Sequence, residues 1–271
     1  MMAEAEKGEL AAKVPVVTGA GGLIGRGIVL GFLREGARVL IAERDLDAAE
    51  ATLALAANEG FADAAHIACG DVTVEADVAA MVAAAAARYG RLDIMVNNAG
   101  GPGAMMPLLE TDAAAFDETF ALLVRSVFLG IKHAGQQFRA QGGGGVILST
   151  ASASVHLGGI SPTLYAAAKA AVVRLTELAA VELGSDRIRV NSVSPGAIYG
   201  PGFEVMGFTP DKLAQEQAWP EAGMPADVAA IMVFLAGVCC PYMTGADVQV
   251  DGGLVARGST LFQRMLAGAG Q

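Results

Sequence analysis

The chain alternates short β-rich runs with longer alanine-rich runs from end to end, and that alternation limits its fold more than any single motif. Strands are expected at Val14–Thr18, Ala37–Glu43, His66–Cys69, Leu92–Asn97, Val146–Thr150, Ile188–Val193 and Asp247–Val250. Helices are expected at Leu23–Glu35, Asp45–Asn58, Glu75–Tyr89, Asp112–Ala140, Pro162–Leu183 and Ala226–Val238. The strand runs are almost continuously apolar, so both of their faces need cover. That implies a doubly wound, Rossmann-type α/β fold: a parallel seven-stranded sheet with helices on both faces. There is no linker, no fixed-period repeat and no low-complexity tract beyond Gly142–Gly145, so residues 1–271 are expected to form a single domain.

Composition narrows the function. The net charge is −10, which argues against a nucleic-acid partner, since that would need a basic face. The longest apolar run, Val78–Ala87, is about half of what spans a bilayer. Met1–Leu10 carries Glu4, Glu6 and Glu9 and lacks the basic start and apolar run of a signal peptide. Cys69, Cys239 and Cys240 are too few and wrongly spaced for a disulfide framework or a zinc site. These features lead us to expect a cytoplasmic protein with no membrane partner and no metal.

The turn after the first strand, Thr18 to Gly25, is glycine-rich and opens the first helix. Backbone amides and a helix N-terminus at that point suit a pyrophosphate. Gly19, Gly22, Leu23, Ile24 and Gly25 are therefore candidate dinucleotide contacts, although a tight loop alone would also use glycines. Glu43 ends the second strand where an acid can accept the ribose hydroxyls and repel a 2′-phosphate. Arg44 follows it and is suited to binding that phosphate, so NAD is expected and NADP is the alternative. Asp71 and Val72 follow the third strand, with Asp71 either meeting the adenine amino group or capping the next helix. Asn97, Asn98, Ala99 and Gly100 end the fourth strand, where asparagine can tie strands together and Gly100 leaves room for a sugar.

Tyr165 and Lys169 lie four residues apart, one turn along a helix face, and Ser152 precedes Tyr165 by thirteen residues. A nearby ammonium lowers a phenol's pKa, which prepares Tyr165 to move a proton to or from a carbinol or carbonyl oxygen.

Together, the turn at Thr18–Gly25, Asp71, Asn97–Gly100, Ser152, Tyr165 with Lys169, Asn191 with Pro195-Gly196, and Val250–Gly253 resemble the short-chain dehydrogenase/reductase family, in its single-domain branch of about 250 residues. The resemblance implies NAD(P)-dependent hydride transfer at a carbon bearing an alcohol or ketone. It implies that Tyr165 is the acid/base, that Lys169 lowers its pKa and holds the nicotinamide ribose, and that Ser152 positions the reacting oxygen. Pro195, Gly196 and Ile198 are then nicotinamide contacts. It also implies a homotetramer or homodimer formed through helices 112–140 and 162–183.

Three residues depart from the family pattern. Leu23 stands at the middle glycine of the usual Gly-x-x-x-Gly-x-Gly turn. Leu123 stands where many members carry an asparagine that shapes a helix kink and helps hold a proton-relaying water. Gly200 replaces a frequent threonine. A weakly active dinucleotide-binding regulatory homologue is the alternative these departures leave open, and an NADPH-dependent ketone reductase is the alternative among enzymes.

The substrate is expected beyond the carboxyl ends of the strands. Ser154 and His156 are candidates beside Ser152, as are Met105 and Met106 after the fourth strand. Tyr199, Phe203 and Met206 belong to a loop-rich stretch, residues 199–222, expected to form a lid over an apolar or cyclic substrate. A packed subdomain or an oligomer contact is the other reading of that stretch. The tail 254–271 is expected to extend past the last strand.

Overall fold

A computed structural model describes residues 8–257 of the chain. The first strand, β1 (Pro15–Thr18), leads through the glycine turn into α1 (Leu23–Arg34). The chain continues through β2 (Val39–Glu43), α2 (Leu46–Asn58), β3 (Ala65–Cys69), α3 (Glu75–Tyr89) and β4 (Ile94–Asn97). After β4 come α4 (Ala113–Phe120), α5 (Ser126–Gln141), β5 (Gly145–Thr150), α6 (Thr163–Leu183) and β6 (Ile188–Pro195). Two short helices, α7 (Pro201–Val205) and α8 (Pro210–Ala214), precede α9 (Pro225–Ala236), β7 (Asp247–Val250) and α10 (Leu254–Arg257).

All seven strands pair in parallel, in the order β3-β2-β1-β4-β5-β6-β7. This is the doubly wound sheet expected from the alternation. Successive side chains feed opposite faces. Val17 and Ile41 join Ile28, Phe32 and Met232 on one face. Val16 and Leu40 join Met81, Val127, Phe138 and Val172 on the other. All eleven are nearly inaccessible to solvent, and burying each such side chain stabilises the fold by roughly 1.5–3 kcal/mol. That two-sided burial explains why the strand sequences are apolar throughout.

Two expectations need correction. The helix read over Asp112–Ala140 is not continuous. Asp112 caps α4, its carboxylate accepting from Ala115 N at 2.8 Å. The helix then widens into a π turn over Ala121–Arg125 before α5 begins. There the Ser126 hydroxyl bonds to the Leu122 carbonyl. Periodicity alone does not show one extra residue in a turn, because apolar residues continue on both sides of it. The stretch 199–222 is also less irregular than expected, since Pro201 and Pro210 each start a short helix, a position where a missing N–H costs nothing.

Among the described residues no helix is long and apolar enough to cross a membrane. The part of the expected tail beyond residue 257 lies outside the described residues.

Candidate functional site

The order of strands reverses between β1 and β4, and a cleft of about 900 Å³ opens at the carboxyl ends there. Ligands of open α/β sheets bind at such a switch point. The cleft is lined by Gly19, Gly22, Leu23, Ile24 and Gly25 from the turn, by Glu43, Arg44, Asp71 and Val72, and by Asn98, Ala99 and Gly100. Its far end is lined by Ser152, Tyr165, Lys169, Pro195, Gly196, Ile198, Phe203 and Met206.

The end of the cleft at the glycine turn is shaped by close backbone approaches. Gly19 has φ +62°, and a Cβ there would lie 2.6 Å from Ala99 Cα. A Cβ on Gly25 would strike the Gly19 carbonyl. Asn98 knits three strands together, its Nδ2 donating to Thr18 O at 3.0 Å and its Oδ1 accepting from Thr150 Oγ1 at 3.1 Å. The Thr18 hydroxyl accepts from the amides of Asn98 and Ala99 at 3.0 and 3.1 Å. A glycine cradle held this rigidly at a helix N-terminus fits a dinucleotide pyrophosphate.

Glu43 reaches back to the turn, accepting from Gly21 N at 3.0 Å and from Arg44 N at 2.8 Å. The Arg44 guanidinium lies 3.4 Å from Asp71. Asp71 also accepts from Thr73 N and Thr73 Oγ1 at 2.8 and 2.7 Å. The Thr73 backbone hydrogen bond is the largest cause holding the Asp71 carboxyl below its ordinary range. Val74 holds the N-cap position of α3 and makes no side-chain cap, and Asp71 bonds to Thr73 ahead of the helix rather than to its first turn.

At the far end, Ser152 leaves β5 in an extended conformation, and its Oγ accepts from Ser154 N and Ser154 Oγ at 3.2 and 3.0 Å. Lys169 is almost completely buried, and its Nζ donates to the Thr150 carbonyl at 2.6 Å. The same Nζ lies 5.8 Å from the centre of the Tyr165 ring. Burial pulls the Lys169 pKa down to about 8. Burial also raises the Tyr165 pKa, and the hydrogen bond to Ser152 only partly opposes it. This corrects the sequence argument, which counted the ammonium and not the desolvation. In the free chain burial sets the direction for the phenol, and the same burial weakens the ammonium that was expected to lower it.

The structure brings together Ser152, Tyr165, Lys169 and the glycine turn. The side chains expected to meet the substrate divide. Phe203 and Met206 line the cleft, together with Phe208 and Ile160. Ser154 is buried behind Ser152. His156 does not line the cleft; its Nε2 lies 3.0 Å from Asp247 Oδ2. Tyr199 also stands outside the lining, beside Glu204, which raises its pKa. Met105 and Met106 are exposed and likewise outside it. Leu123 is fully buried in the π turn, and a Cβ on Gly100 would sit 3.2 Å from its Cδ2.

The sequence reading missed the Thr150 carbonyl and the wall formed by Ile160, Ser161 and Pro162. The sequence held one signal for the first of these: Thr150 is the last residue of a strand whose end already carried Ser152. Among the described residues no three His, Cys, Asp or Glu side chains are placed to hold a metal ion.

A family model described as enoyl-(acyl carrier protein) reductase matches residues 19–255. The chain is 36% identical over 267 residues to (+)-borneol dehydrogenase 2 of Salvia officinalis, covering 93% of this chain and 92% of that one. It is 36% identical over 251 residues to levodione reductase of Leifsonia aquatica, covering 89% and 93%. A solved 7α-hydroxysteroid dehydrogenase, complexed with NADH and 7-oxo glycochenodeoxycholic acid, superposes with a TM-score of 0.82 at 31% identity, covering 90% of this chain and 95% of that one.

Proposed function

The chain belongs to the short-chain dehydrogenase/reductase family and is an NAD(P)-dependent oxidoreductase acting on CH–OH groups; from that premise we propose that it interconverts a secondary alcohol and a ketone on an apolar, ring-bearing substrate, with Tyr165 as the acid/base and NAD as the preferred dinucleotide. The observation that carries this reading is the meeting of Ser152, Tyr165 and Lys169 at one end of a cleft whose other end is the glycine cradle.

The bound dinucleotide supplies or accepts the hydride. The chain does the rest. Ser152 and Tyr165 hold the substrate oxygen, and Tyr165 takes its proton in oxidation and returns it in reduction. The Lys169 ammonium favours the phenolate while it remains protonated, below about pH 8. Leu123 brings no polar group to this relay, and its buried side chain instead backs Gly100.

Glu43 supports NAD, because its carboxylate stands at the ribose end of the cleft and would repel a 2′-phosphate. Arg44, the one feature favouring NADP, already faces Asp71. The walls made by Phe203, Met206, Phe208 and Ile160 support an apolar substrate. Borneol, levodione and the hydroxysteroid, named with the relatives, each carry the reacting oxygen on a ring.

The chain is read as one domain in which residues 199–222 act as lid. Assembly into a homotetramer or homodimer through α4, α5 and α6 is supported by Phe116, Phe128, Leu178 and Val181, which stand exposed on those helices. A cytoplasmic location is supported by three free cysteines.

The test is a screen of secondary alcohols and diols with NAD and NADP in parallel. Reduction of NAD by ring-borne alcohols is the expected result. Dinucleotide binding without turnover of any alcohol or ketone would leave the regulatory reading in its place.

A further inference from the structure

Gly200 stands immediately before α7 at the entrance to the lid. Its backbone is fully extended, with φ 176° and ψ −174°, a conformation any residue adopts. The path of the chain therefore does not ask for glycine at this position. What meets it is a side chain: a Cβ on Gly200 would collide with Leu23 Cδ2, with Cδ1 at 2.9 Å and Cγ at 3.1 Å, so any larger residue there obliges Leu23 to move.

Leu23 is the first residue of α1 and lines the cleft beside Gly22. It is 39% exposed, so its side chain is not there to fill the core. The lid is pinned just before Gly200, where Tyr199 N donates to Gly223 O at 2.8 Å and Ile198 bridges to Gly223. Gly200 is thus the first residue beyond the pin, and Phe203 and Met206 follow it onto the cleft wall.

We propose that Leu23 is a positioning peg: the lid seats on its side chain, so the glycine turn sets how far α7 reaches over the substrate end. In this position the Leu23 side chain occupies the space that a side chain at residue 200 would take. Any group added at 200 pushes Leu23 toward the space between the turn and the lid, so that lid position and dinucleotide binding change together. This rests on the reading of the cleft as the dinucleotide and alcohol site.

Lys212 on α8 is exposed and is the one Lys or Arg between residues 199 and 222, so trypsin cleavage there reports on the lid without any turnover. Wild type, Leu23→Ala, Gly200→Ala and the double variant are digested with and without saturating NADH. NADH should slow cleavage at Lys212 in the wild type. Gly200→Ala should cut that protection about tenfold, while the same change in the Leu23→Ala background should alter it less than about twofold. An equal effect of Gly200→Ala in both backgrounds, or no protection by NADH in any of the four proteins, overturns the proposal. A failed alcohol screen alongside coupled protection would instead count against the assigned reaction and leave the peg standing.

Discussion

At the glycine-turn end of the cleft, the backbone is closely approached at the glycines and held by the hydrogen bonds of Thr18 and Asn98. At the opposite end the lining includes the side chains of Phe203 on α7 and Met206 just after it, Met206 being 61% exposed. The first end is buttressed by β1, β4 and β5 at once. The second is tied to the rest of the chain at its two ends, by the bridge of Ile198 to Gly223 and by the amides of Ala218 and Trp219 donating to the Gly252 carbonyl at 3.0 and 2.8 Å. A dinucleotide presents the same phosphates and riboses to every enzyme, so a rigid backbone can serve it. Substrates differ, and exposed side chains on a connecting segment can change with little cost to the core. Tyr165, Lys169 and Ser152 sit where the two regimes meet, on α6 and at the end of β5.

The largest effect should come from the junction. Tyr165→Phe is expected to lower kcat about a thousandfold while the NADH dissociation constant changes less than about twofold. Unchanged turnover in that variant would remove the acid/base role. On the rigid side, Gly25→Ala drives a Cβ into the Gly19 carbonyl. It should weaken NADH binding by about a hundredfold and destabilise the fold by about 1–3 kcal/mol, as read by titration and thermal melting. A mild effect there would mean that the cradle is not rigid.

The next effect depends on pH. The pKa of Lys169 is depressed to about 8, so its charge is present below that pH and lost above it. Support for the phenolate should therefore fade as pH rises through about 8, and kcat/KM for alcohol oxidation should level off or fall by about tenfold by pH 10. Lys169→Arg keeps its charge and should move that limb to higher pH, as a pH–rate profile of both proteins would reveal. The smallest effect belongs to the lid. Phe203→Ala is expected to raise the alcohol KM about fivefold with NADH binding untouched. Equal losses in both constants would dissolve the distinction between the two ends.

Much of the rigid end was legible in the sequence. The glycine spacing, Glu43 at a strand end and Asn98 before Ala99-Gly100 are local patterns, and local chain geometry fixes what they do. Ser152, Tyr165 and Lys169 were equally legible as a set, because four residues on a helix is a known distance. The stretch 199–222 was legible only as a span. His156 looked like a substrate contact from its place between Ser152 and Tyr165, yet it faces Asp247, ninety-one residues away. No sequence spacing encodes a partner that distant. The π turn escaped for a different reason: it changes the winding of a helix without interrupting its apolar residues.

The sequence by itself determined the alternating fold, the glycine turn between β1 and α1 and the placing of Tyr165 and Lys169 one turn apart on a helix, because each rests on short-range geometry. Only the tertiary structure decided the directions of the Tyr165 and Lys169 shifts, which follow from burial by segments remote in the chain. It alone also decided that Leu23 and Gly200, separately odd in the sequence, share one space between the nucleotide turn and the lid.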